Sequence, residues 1–189
     1  MKGIFSASAL GLSAILLCVS CGDNSSKTEH TIVDTTTTTP TDTAKPTGPI
    51  NQFASKAMIG GMTEVEMGKL AQSNGGSSDV KEYGKMLEKD HAAANADLRS
   101  IASAENLMLP TALDDEHAKN VKDMQAKKGA DFDKAFIADM VEDHEKDIAE
   151  FKEAANSNPD QKIKDFAAKA LPTLQKHLDK AKAIKSKMK

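Results

Sequence analysis

The stretch from Ser78 to Asn106, SDVKEYGKMLEKDHAAANADLRSIASAEN, decides the fold, because its apolar residues return every three or four positions. Val80, Tyr83, Leu87, Ala94, Leu98 and Ile101 make one stripe of a long helix, with charged residues on the remaining faces. Upstream, a first helix is predicted from Asn51 to Ser73, stopped by Asn74-Gly75-Gly76, residues that tolerate positive φ. Downstream, Pro110-Thr111 opens a shorter helix, with Thr111 as its cap and Asp114 three residues on, and Gly129 closes it. Asp131 or Asp133 is the predicted cap of a fourth helix with Phe132, Phe136, Met140, Ile148 and Phe151 on one side. Asn158-Pro159 starts a fifth, whose stripe is Ile163, Phe166, Ala170, Leu174, Leu178, Ala181 and Ile184. Pro172 lies inside that stripe and predicts a kink between Ala168 and Leu171, since it cannot donate to the Ala168 carbonyl.

Four of these helices are long, roughly 35 to 43 Å each, and one is short. The segment from Leu107 to Ala130 is long enough to carry the chain back along the bundle, which makes the second and fourth helices parallel. The expected fold is therefore all-α: a ferritin-like four-helix bundle with a short extra helix in the long crossover between the second and third core helices. Composition agrees. Aromatic residues are 4% of the chain, there is no Trp, and good helix formers dominate from Asn51 onward. Lys and Arg number 25 against 28 Asp and Glu, interspersed for a net charge of −3, so no electrostatic footprint for nucleic acid exists.

The N-terminus has a different character. Lys2 supplies a positive start, Ile4 to Val19 a short apolar run, and Ser20-Cys21-Gly22 a small-residue cleavage point. The run is too short and interrupted to span a bilayer. It resembles a bacterial lipobox, with Cys18 where Leu is usual, and it predicts lipidation at Cys21. From Gly22 to Pro49 the chain has few large apolar residues and carries the run Thr35 to Thr39 with Pro40, Pro46 and Pro49, the composition of a disordered tether. Residues 1–20 are thus read as a signal peptide, 21–49 as the lipidated cysteine and its tether, and 50–189 as the bundle. The expected location is the cell envelope, anchored by lipid to a bacterial membrane, the outer membrane foremost, with the domain facing periplasm or exterior. Both cysteines, Cys18 and Cys21, fall in the leader region, so the bundle has none to pair.

Each long helix carries a polar residue within its apolar stripe. Glu66 lies four residues from both Met62 and Leu70, and His91 lies four after Leu87. His144 is four from both Met140 and Ile148, and His177 is three after Leu174 and four before Ala181. Measured from the loop between the first two helices, Glu66 falls at about 12 Å, His91 and His144 at about 20 Å, and His177 at about 10 Å, which permits one polar layer. Imidazole and carboxylate are ligands for zinc, copper or iron, and bundle interiors are where such sites are built. A hydrogen-bonded network, with Asp90 or Asp143 behind the rings and no metal, satisfies the same spacing. His117, between Leu113 and Val121 on the short helix, reads as a packing residue, and His30 lies in the tether.

Glu88 and His91 have the Glu-x-x-His spacing of di-iron bundles, but Leu174 and Val141 occupy the equivalent places before His177 and His144. The set is too poor in carboxylates for ferroxidase or oxygenase chemistry. No Ser-His-Asp order, phosphate loop or dinucleotide turn is present. Leu87-Glu88-Lys89-Asp90-His91 is faintly echoed by Met140-Val141-Glu142-Asp143-His144.

The string Gly61-Met62-Thr63-Glu64-Val65-Glu66-Met67-Gly68-Lys69-Leu70-Ala71, the two Asp-His pairs, Gly129-Ala130-Asp131-Phe132-Asp133 and Leu171-Pro172-Thr173-Leu174-Gln175-Lys176-His177-Leu178 resemble the domain of unknown function 4142 family. The resemblance covers Asn51 to Lys182. It implies a ferritin-like helical fold in exported bacterial proteins, and it brings no established activity. Its pattern falls on Glu66, Asp90, His91, Asp143, His144 and His177, selecting Glu66, His91, His144 and His177 as metal ligands with Asp90 and Asp143 as their supports. The expected function is a membrane-anchored binding or envelope-stress module rather than an enzyme. A metalloenzyme of redox or hydrolytic type and a purely structural envelope protein are the alternatives.

Overall fold

The structure, a computed structural model, describes residues 48–188. The leader, Cys21 and the tether lie outside the described residues, as does every expectation that rests on them. Five helices and no strands are found among the described residues: α1 (Pro49–Asn74), α2 (Ser78–Glu105), α3 (Asp115–Gln125), α4 (Gly129–Ser157) and α5 (Gln161–Lys187). None of these helices is long and apolar enough to cross a membrane.

Three of the five helix starts are capped by a side chain. Ser77 accepts the Val80 N–H at the start of α2, and Asp160 accepts that of Ile163 at the start of α5. The α3 start corrects the sequence reading. Asp114, not Thr111, accepts the His117 N–H at 2.9 Å, so the helix begins at Asp115 and residues 107–114 stay outside it. Asp114 followed by Asp115 and Glu116 concentrates negative charge in the first turn, where the orphan N–H groups favour it. At α4 neither Asp131 nor Asp133 is the cap, because the helix already starts at Gly129. Asn158-Pro159 stays outside α5, whose cap is Asp160.

Asp133 has a different task. Its two carboxylate oxygens accept the Gly76 and Ser77 N–H groups at 2.8 and 2.9 Å, tying the first turn of α4 to the α1–α2 corner. Asn74 donates to the Gln125 and Lys127 carbonyls at the same corner. The start of α4 is thereby fixed beside the start of α2, and the two helices run parallel. The tail of α5 reaches the same end, where Lys187 meets Asp79 at 2.8 Å. Helix α1 packs on α2 and α4, and α5 packs on α4 and α2, each against an antiparallel neighbour.

The core so enclosed is apolar, with Tyr83, Phe132, Phe136, Leu87, Met58 and Met140 fully buried. Phe132 stacks on Phe136 at 5.3 Å between ring centres. Helix α5 continues through Pro172, whose ring lies on the exposed face where water can reach the carbonyl one turn back.

The α1–α2 crossing depends on two glycines. A Cβ on Gly68 would lie 2.5 Å from the Gly84 carbonyl oxygen, and one on Gly84 would lie 2.4 Å from the Ala71 Cβ. Gly60, on the same helix as Gly68, has nothing within 4 Å of a Cβ. Gly84→Ala is therefore expected to destabilise the domain by about 1–3 kcal/mol, because the helices must move apart. Gly60→Ala should stabilise it by about 0.5–1 kcal/mol through helix propensity alone. Chemical denaturation of both variants checks the pair, and an equal response would contradict the tight crossing.

Candidate metal centre

Helix phase decides which polar side chains enter the core. On α1 the buried positions are Ala54, Ser55, Met58, Gly61, Thr63, Glu64, Met67, Gly68, Ala71 and Asn74, and Glu64 falls in the three-and-four progression that runs through Ala54, Met58, Gly61, Met67 and Ala71. Glu66 is two residues out of phase, a rotation of about 200°. It is half-exposed and bonded to Lys69 at 2.7 Å, so it does not join the histidines. Met62 and Leu70, which made Glu66 look central, are only partly buried flank residues. The carboxylate that enters the core is that of Glu64, 3% exposed.

The three histidines do come together. His91 of α2, His144 of α4 and His177 of α5 are buried, and one ring nitrogen from each lies within 4.8 Å of the others. His144 Nδ1 faces the Met140 carbonyl oxygen at 2.9 Å, and since a carbonyl only accepts, Nδ1 carries the hydrogen. His177 Nε2 faces the Asp90 carboxylate at 3.0 Å and carries its hydrogen for the same reason. His91 Nδ1 faces Glu64 Oε2 at 3.0 Å and donates to it when Glu64 is ionised. Glu64 Oε1 lies 3.3 Å from His144 Nδ1, yet it receives no hydrogen bond, because that N–H is directed at Met140.

What remains on each ring is a lone pair. His144 Nε2 and His177 Nδ1 are 3.2 Å apart, both stripped of hydrogen by their outer partners. His91 Nε2 is buried with no partner. Two facing lone pairs at this distance repel unless something positive lies between them. Burial opposes a proton there, since it pushes His91 and His177 down to about 4 and lowers His144 as well. A metal with bonds of 2.0–2.1 Å in tetrahedral geometry places its nitrogen ligands about 3.3 Å apart.

Asp90 stands behind His177 as a support, as expected from the sequence. Asp143 touches none of the three rings and instead faces a cavity of about 690 Å³ between the long helices. Glu64, His91 and His177 line that cavity too, so the cluster is reachable from it. Glu88 bonds to Gln72 at 2.6 Å, away from the rings, and half-exposed His117 bonds to Asp114. Burial, followed by repulsion from Glu64 and Asp143, pushes Asp147 up to about 8, and burial pushes Glu64 up to about 7.

A family model described as a domain of unknown function, DUF4142, matches residues 35–184. The chain belongs to the DUF4142 family. The match takes in every residue of the cluster. Among solved structures, a DUF305 fragment from Deinococcus radiodurans is similar, with a TM-score of 0.63 over 75% of this chain and 98% of its own at 11% identity. At that identity the likeness shows a shared helical fold and nothing further. No curated protein matches this DUF4142 chain.

The burial has a pH signature in the metal-free protein. The unfolded chain protonates His91 and His177 near 6.5, whereas the folded rings resist until about 4. Their contribution to stability is present above 6.5 and is lost as pH falls toward 4. Glu64 has the opposite sign, its contribution being present below 4.5 and lost as pH rises through about 7. Denaturation with chelator across pH 4.5–7 should show Glu64→Gln removing the alkaline loss, an effect on the order of 1–3 kcal/mol. An unchanged pH profile in that variant would contradict the buried carboxyl.

Proposed function

We propose that this protein is a transition-metal-binding module of the bacterial cell envelope, with the His91, His144 and His177 imidazoles holding one zinc or copper ion. The observation that carries this reading is the pair of facing lone pairs, His144 Nε2 and His177 Nδ1, at 3.2 Å. Iron is a weaker fit, since no second Glu-x-x-His copy supplies bridging carboxylates. Three imidazoles whose other nitrogens donate to a carbonyl or a carboxylate match how metal-bound histidines are oriented. The cavity beside His91 and His177 leaves room for an exchangeable ligand, which makes a hydrolytic or redox metalloenzyme the second reading. The helix order, with α3 inside the α2–α4 crossover, supports placing the bundle in the ferritin-like class.

A proton shared between His144 and His177 is the competing occupant of the same gap. Metal analysis of full-length protein purified without an affinity tag separates them. About one zinc or copper per chain is expected, and His144→Ala should abolish uptake. Glu64→Ala should weaken affinity about 10–100-fold by freeing the His91 ring, and Glu66→Ala should leave it unchanged. Affinity should also fall as pH drops through the histidine range, where protons compete for the ring nitrogens. A folded protein that takes up no metal from a buffered solution would establish the proton instead.

The envelope location rests on the leader. Cleavage before Cys21 and acylation of its thiol would place the bundle on a membrane through the 22–49 segment. Mature protein is expected to begin at acylated Cys21 and to partition into detergent, and Cys21→Ala should release it or stall processing. Mass spectrometry showing an unmodified Cys21 in mature protein would remove the anchor.

A further inference from the structure

We infer that the cavity beside the histidines binds a small organic ammonium compound, its apolar body against Phe53, Phe151 and Phe166 and its cationic head among Asp143, Asp147 and Glu64. The cavity volume, about 690 Å³, is that of a small-molecule site and far exceeds what one inorganic ion occupies. One side is aromatic. Phe53 meets Phe151 edge-on at 5.1 Å, and Phe151 lies 6.1 Å from Phe166, with all three lining the cavity.

The other side is lined by carboxyl groups. Asp143 and Asp147 sit one turn apart on α4, both half-buried, and neither has an ion pair or side-chain hydrogen bond to another described residue. Glu64, nearly fully buried in the same wall, keeps Oε1 without a hydrogen bond. The remaining carboxylates around the cavity are already matched: Glu150 with Lys56 at 3.5 Å, Asp97 with Lys169 at 2.8 Å, Asp114 with His117 at 2.6 Å, Asp90 with His177. Lys146 and Lys176, both exposed, also line the cavity, and Lys146 and His117 partly offset the burial of Asp143. A half-buried carboxyl without a partner bears a cost, whether it holds its proton or ionises unpaired, and a cation supplied by a ligand removes that cost. An anionic ligand would add to it, and a neutral one would leave it in place. Phenyl rings accept the apolar body and tolerate an adjacent cation at their faces.

The inference uses carboxylates that hold no histidine except through Glu64, so it can be tested with the metal absent. Full-length, chelator-treated protein is titrated by calorimetry with 2-phenylethylammonium, its neutral isostere 2-phenylethanol, and 3-phenylpropionate. The ammonium compound should bind at least about ten-fold tighter than the alcohol, and the carboxylate should not bind. Asp143→Asn with Asp147→Asn should reduce the advantage of the amine to under about two-fold while leaving the alcohol unaffected. If the double variant does not fold, Asp147→Asn alone should still lower the advantage. Phe166→Leu should weaken amine and alcohol by the same factor. Equal affinity for amine and alcohol, no binding of either, or an advantage that survives loss of both aspartates would overturn the proposal. Saturation of the site by calcium at lower concentration than the amine would assign it to an inorganic ion and overturn it equally. The Asp143→Asn, Asp147→Asn variant should still take up about one zinc or copper per chain, so failure of the metal site and failure of this one are separate results.

Discussion

His144 Nε2 and His177 Nδ1 face each other at 3.2 Å on two buried rings, and each ring has its hydrogen on the far nitrogen, donated to a partner there. In water such a contact would be relieved by a solvent molecule or by rotation of a ring. Here rotation would break the bond to the Met140 carbonyl or to Asp90, and would leave a buried N–H without an acceptor. The backbone carbonyl is the strictest of these partners. Met140 lies one turn before His144 on the same helix, so α4 itself dictates which nitrogen of that ring is bare. Asp90 performs the same task across the α2–α5 contact, and Glu64 does so for His91 across the α1–α2 contact.

That arrangement demands accurate placement of four helices. Parallel running of α2 and α4 brings Asp90-His91 and Asp143-His144, one Asp-His pair on each, to comparable depth from the same corner. The corner is defined chemically: Asp133 closes the two free N–H groups after Gly75, and Asn74 ties down the end of the crossover. The glycine contact between α1 and α2 then brings Glu64 close enough to bond His91 directly at 3.0 Å. A wider crossing would put that carboxylate beyond hydrogen-bond range of the ring, and the ring would lose its preferred tautomer.

Apolar period alone made most of this visible before any coordinates. The five helices, the short one within the crossover, and the inward direction of His91, His144 and His177 all follow from spacing of three and four. The first helix was less legible for a physical reason. Its buried stripe contains Gly61, Gly68 and Ala71, small residues that carry almost no hydrophobic signal, while the larger Met62 and Leu70 lie on its flank. Reading the big side chains as the centre of the stripe selects Glu66, and reading the small ones selects Glu64. The close α1–α2 approach is the very reason that small residues occupy the centre. Capping was ambiguous for a similar reason: Thr111, Asp131, Asp133 and Pro159 all suit helix starts locally, and tertiary bonds such as that from Asp133 to Gly76 and Ser77 decided between them.

Charge balance separates the two chemistries at this centre. Three neutral imidazoles bring no charge, and the two carboxyl groups directly behind them, Asp90 and Glu64, bring two negative ones once Glu64 has released its proton. A divalent ion among the rings would therefore be neutralised by groups that already orient its ligands, with nothing further required of the protein. Asp143 and Asp147 are surplus to that balance. They form no ion pair or hydrogen bond with the rings, they line the same cavity as the three phenyl rings, and together with burial their repulsion with Glu64 favours the protonated carboxyls. Carboxyl groups in a half-buried wall carry a cost whether they hold a proton or ionise unpaired, and the metal site does not explain it. A second, larger cation in the cavity accounts for that cost, and it does so without altering the geometry that holds the three rings.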